Sequence, residues 1–103
     1  MTDIAVALEA MRSDAAAWES AADRVDGPRT AIDGFALTGA DVSKWAVDAG
    51  LDRTYDDARR TMESLLAQAS ATFRLIGEQL RAAADTYERE DEANMHALNK
   101  IVE

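Results

Sequence analysis

With 103 residues the chain has room for one domain and a modest core. Its net charge of −9 opposes nucleic acid, which is bound through clustered Lys and Arg, and opposes docking on an anionic membrane surface. The absence of cysteine excludes disulfides and thiolate metal sites.

Much of the 48% hydrophobic share is alanine, which lets helices approach closely but buries little area per residue. A thin helix–helix seam is therefore expected instead of a thick core, and chains of this size often complete their cores by association. The N-terminus, Met1 to Glu9, has no basic leader region and reaches a glutamate after a short apolar run. No cleavable signal peptide and no membrane insertion are expected, so export would need a route without a removable leader.

The spacing predicts a first helix over residues 3–25. Ile4, Leu8, Met11, Ala15, Trp18, Ala22 and Val25 recur in alternating steps of four and three, a heptad seam. Thr2 or Asp3 can cap its start, and Asp26-Gly27-Pro28 reads as its stop. Trp18 either fills space opposite small alanines or belongs to a contact surface.

Residues 27–40 read as an irregular connection that Phe35 and Leu37 tuck against the helices. Thr38-Gly39-Ala40-Asp41 has the form of a capping box with Asp in place of Glu, opening a short helix over about 40–49 that Gly50 ends. This insert either covers the open end of a hairpin or presents a partner-binding surface.

A second capping signature, Thr54 to Asp57, predicts a long helix over about 54–92, with a tail at 93–103 that extends the helix or frays. Its seam is Tyr55, Ala58, Met62, Leu65, Ala69, Thr72, Ile76, Leu80, Ala83 and Tyr87. Leu66 and Phe73 widen the apolar face beyond a two-stranded seam, which predicts more than one neighbour. Together these elements predict an all-α fold: an antiparallel helical hairpin with a short helix in the connection, forming one domain over residues 1–103. If Val25 lies near Tyr55, Ile4 lies near Ile76, and Leu80 to Asp91 overhang; either the register is shifted or this overhang is a surface for another protein. The expected partner-binding residues are Leu8, Met11, Trp18, Leu66, Phe73, Ile76 and Leu80.

Signs of catalysis are nearly absent. His96 and Glu92 share a helical face, but no third or fourth metal ligand has a predictable position. The paired carboxylates Asp56 and Asp57, and Glu90 to Glu92, read as solvated helix surface. No phosphate loop, nucleophile elbow or Ser/His/Asp set occurs. Neither enzymatic activity nor a cofactor or metal is expected.

Tyr87 and Asp91 stand four apart, neighbours on one helical face. They end the run Ala83-Ala84-Asp85-Thr86-Tyr87-Glu88-Arg89-Glu90-Asp91. In a short, alanine-rich helical hairpin this ending resembles the small substrates of actinobacterial type VII (ESX) secretion, within them the branch related to the EspC secretion-associated proteins. The architectural likeness covers nearly the whole chain; the motif covers these nine residues.

The resemblance implies pairing, as a homodimer or with a related hairpin, into a dimeric four-helix bundle that leaves the cytoplasm folded for the cell surface or medium. It implies that Tyr87 and Asp91 form part of the secretion signal read by the secretion ATPase. The Trp-x-Gly turn of the WXG branch is missing, since Ala46 and Val47 follow Trp45. Either a partner supplies that turn or Trp45 substitutes loosely for it. The other reading from the residues alone is a cytosolic helical adaptor or chaperone-like protein that binds one partner through its apolar helix faces.

Overall fold

In the computed structural model, residues 2–102 are described. They form α1 (Thr2–Asp33), α2 (Lys44–Asp48) and α3 (Leu51–Val102), with a 3₁₀ turn at Gly39–Asp41. Among the described residues there is no strand, and the fold is an all-α hairpin.

α1 does not stop at Asp26-Gly27-Pro28 as expected; it runs through Pro28 to Asp33. Proline removes one amide donor but does not forbid a helix whose next turn is tied by other means. Here Arg29 pairs with Asp26 at 3.5 Å, and the Thr30 hydroxyl donates to the Asp26 carbonyl at 3.0 Å. Ile32 then continues the heptad column of Trp18 and Val25.

In the connection, the Thr38 amide and hydroxyl both donate to Asp41 Oδ2, at 2.9 and 3.0 Å, which is the reaching-back half of the expected capping box. That carboxylate has its pKa lowered by these bonds, the backbone one first. The box does not open the short helix, however. It closes the 3₁₀ turn, and α2 starts later, where Ser43 accepts from the Ala46 amide at 3.2 Å. Gly50 ends α2 as expected, with φ of 76° and its amide on the Val47 carbonyl at 2.9 Å.

α3 begins at Leu51, ahead of the expected Thr54, and continues through the region read as a tail. Thr54 does not cap it; its hydroxyl donates back to the Gly50 carbonyl at 3.1 Å.

Contacts concentrate in two compact units, residues 1–20 with 73–103, and residues 21–72. In the first, Arg12 pairs with Asp85 at 3.0 Å and with Glu88, while Arg81 holds Glu19 through two bonds of 2.7 and 3.0 Å. Rising numbers on α1 meet falling numbers on α3, so the two segments are antiparallel. Ala15, Gly77 and Ala84 are buried between them. In the second unit Arg59 reaches Asp33 at 3.6 Å, and the Leu37 amide meets Asp56 at 3.4 Å, again antiparallel. Ala22 and Ser70 are its buried residues.

Of the two alternatives, the shifted register is the one observed, in both units. Tyr55 shares a cleft with Ile32 instead of Val25, and Ile4 shares one with Tyr87 instead of facing Ile76. Extending α1 from Val25 to Asp33 moves the turn and slides the pairing. Leu80 and Tyr87 therefore do not overhang α1; only the stretch from about Met95 onward does.

The packed face of α3 is also not the expected one. Its most covered residues, such as Arg59, Glu63, Leu66, Ser70, Phe73, Gly77, Leu80 and Ala84, form a second heptad stripe beside the apolar one. Small residues allow backbones to approach, and the flanking charges pair across, so this stripe packs within the chain. The fully buried apolar residues are three alanines, and no large side chain is fully buried among the described residues.

Candidate interaction surface

Packing through small residues divides each unit into two unlike flanks. On α1 the column Arg12, Glu19, Asp26 and Asp33 lies to one side of Leu8, Ala15 and Ala22, and the column Ile4, Met11, Trp18, Val25 and Ile32 lies to the other. The ion pairs to Asp85, Glu88, Arg81 and Arg59 all use the first column. Three of these groups shift in the direction that pairing favours. Arg12 is raised, first by the bond to Glu88; Glu19 is lowered, and Arg81 raised, first by their bond to each other.

The second column makes the apolar flank. In the first unit Trp18 packs on Phe73 with ring centroids 5.2 Å apart and planes tilted by 54°, yet Trp18 stays about a third exposed. Ile4, Ala7, Leu8, Met11 and Tyr87 line an open cleft of about 530 Å³. In the second unit Ile32, Tyr55, Ala58, Arg59 and Met62 line a smaller one of about 220 Å³.

The apolar stripe expected to be the intrachain seam thus faces outward only in part, since Ala69, Ile76, Leu80 and Ala83 are half-buried. Tyr55 is 40% exposed, Met62 48%, Leu65 56% and Tyr87 62%. Of the expected partner-binding residues, Leu8, Met11, Leu66, Phe73, Ile76 and Leu80 are half-buried within the chain, with Trp18 more open.

Tyr87 and Asp91 are brought together: with Ile4, Glu90 and Asn94 they line one surface cleft of about 230 Å³. Tyr87 is exposed and Asp91 half-buried. In the connection Phe35 is 60% exposed and does not tuck the segment against the helices, whereas Leu37 is half-buried with its amide on Asp56; Trp45 is 73% exposed.

Sequence reasoning missed the roles of Arg12, Glu19, Arg81 and Gly77. A signal was present, since Arg53, Arg60, Arg74 and Arg81 recur at heptad spacing on the column beside Gly77.

His96 and Glu92 are exposed, and the described residues contain no group of three or more His, Cys, Asp or Glu able to hold a metal. No described helix is long and apolar enough to cross a membrane. No protein-family model, curated protein or solved structure matches the chain.

Proposed function

We propose that the chain is a small helical hairpin that works paired with another helical hairpin and is exported by a type VII (ESX) secretion system, as substrate or as secretion partner. Tyr87 and Asp91 serve as the element that the secretion ATPase reads. The observation that carries the pairing is the inversion of large and small residues: alanines are buried while Tyr55, Met62, Leu65 and Tyr87 are open. Three buried alanines supply little hydrophobic stabilisation, and large apolar side chains left open on one helix favour a protein contact. The export role rests on the resemblance of Ala83 to Asp91, supported by the shared cleft of Tyr87 and Asp91.

The test is expression in an actinobacterium with an active type VII system, followed by separate immunoblots of cells and medium. Wild type is expected in the medium, and Tyr87→Ala and Asp91→Ala are expected to remain in the cells with helicity near wild type. Normal export of both variants would remove the signal assignment. Wild type retained wholly in the cell would return the chain to the adaptor class.

A further inference from the structure

We infer that a groove of the first unit, between the start of α1 and the Tyr87 segment of α3, receives a basic amphipathic helix of a partner protein. The inference rests on the reading of Tyr87 and Asp91 as a recognised element and states the chemistry that recognises them.

Two clefts make this groove, and both use Ile4 and Tyr87. The larger, of about 530 Å³, adds Ala7, Leu8 and Met11 and has no ionisable group besides the Tyr87 phenol. The smaller, of about 230 Å³, adds Glu90, Asp91 and Asn94. One surface therefore passes from an apolar floor to two carboxylates, with Tyr87 at the junction. Ile4 to Met11, and Tyr87 to Asn94, each rise roughly 10 Å, or two helical turns. On α1 the lining follows i, i+3, i+4 and i+7, the spacing that an amphipathic helix meets with its own apolar stripe.

Charge decides which helix. On the other flank Glu19, Asp85 and Glu88 meet Arg81 or Arg12. Among the described residues Glu90 and Asp91 have no such partner, and the adjacent Arg89 donates to Thr86 instead, at 3.4 Å. Asp91 is already half-buried. An uncharged helix over the groove would strand these carboxylates away from water, and an acidic one would add repulsion. A Lys or Arg one turn beyond the apolar stripe removes both costs, since it pairs with Asp91 and Glu90 and rests on the Tyr87 ring. A second copy of this chain, at net charge −9, meets the same carboxylates with repulsion. A metal ion lacks a third ligand among the described residues.

The test uses the purified full chain and fluorescent synthetic peptides of roughly 18 residues, long enough to hold a helix. All carry one leucine stripe, flanked by lysines, glutamines or glutamates. Fluorescence anisotropy is expected to show the lysine peptide bound at least about tenfold more tightly than the other two. Glu90→Gln with Asp91→Asn is expected to weaken that binding at least about fivefold. Glu9→Gln with Glu78→Gln removes equal charge outside both clefts and is expected to change it less than about twofold. Ile4→Ala and Tyr87→Ala are each expected to weaken it at least about fivefold. Should Ile4→Ala lower the helicity, Tyr87→Ala and the carboxylate comparison still decide.

Equal affinity for the three peptides, or equal weakening by the two carboxylate pairs, overturns the inference. A particle of twice 11.2 kDa that binds no peptide assigns the groove to a second copy and overturns it too. Displacement by dodecylammonium as readily as by unlabelled peptide assigns it to a small cationic amphiphile, with the same result. Peptide binding is read apart from export. Failure of the peptides leaves the export result standing, and normal export of Tyr87→Ala leaves the groove standing.

Discussion

The Cα of Gly77 on α3 lies so close to α1 that a Cβ built on it would sit 3.1 Å from the Ala15 carbonyl oxygen and 3.1 Å from Glu19 Cγ. This close approach sets the spacing of the two helices in that unit and brings Arg81 within 2.7 Å of Glu19. It also explains why the large residues lie outside: no bulky side chain fits where the backbones nearly touch. A methyl group there meets a backbone atom, and the resulting strain offsets the helix-propensity gain of roughly 1 kcal/mol. Gly77→Ala is therefore expected to be near neutral in urea denaturation. Gly77→Leu, which forces the helices apart, is expected to cost about 2–3 kcal/mol.

Gly27 and Gly50 form a matched pair of opposite sign. A Cβ at either would meet nothing within 4 Å, so substitution acts through backbone preference alone. Gly27 lies inside α1, and Gly27→Ala is expected to stabilise by roughly 0.8–1 kcal/mol. Gly50 has φ of 76°, so Gly50→Ala is expected to cost about 1–2 kcal/mol. Shifts of the urea midpoint in these two directions are the readout.

The helices were legible in the sequence because their apolar period is sustained, and the Gly50 stop because only glycine adopts its backbone freely. The Tyr87 and Asp91 pairing was legible from a spacing of four. The register was not. Leu8, Ala15 and Ala22 belong to two overlapping heptad stripes, one continued by Met11 and Trp18, the other by Arg12 and Glu19. Hydrophobicity selects the first, whereas close packing of small residues and ion pairing brings the second against α3. On α3 the same ambiguity hid Gly77 and Ser70 behind Ile76 and Ala69. The length of α1 was lost at Gly27-Pro28, where local propensity argues for a stop that the Asp26, Arg29 and Thr30 contacts override.

Pro28 tests that last point. Inside a helix it removes the amide that would bond the Arg24 carbonyl, and its ring crowds that carbonyl. With residues through Asp33 helical, Pro28→Ala is expected to stabilise by up to about 3 kcal/mol and to raise the far-ultraviolet helical signal. An unchanged stability and signal would mean that helix is not maintained beyond Pro28 in solution.

The Glu19–Arg81 pair sets an acid limit on the first unit. Its two bonds lower the Glu19 pKa from the ordinary 4.5, so the folded state binds this proton less readily than the unfolded chain. The pair's contribution is complete above pH 4.5 and is lost as the pH falls through the lower folded value. Both side chains are more than 40% exposed, so water and salt screen the attraction and its size is modest. Thermal melting followed from pH 7 to pH 2 is expected to show a steeper acid decline for wild type than for Glu19→Gln. The difference should lie below pH 4.5 and shrink in high salt. Arg81→Lys keeps the charge but loses the two-pronged contact, and is expected to fall between the two curves.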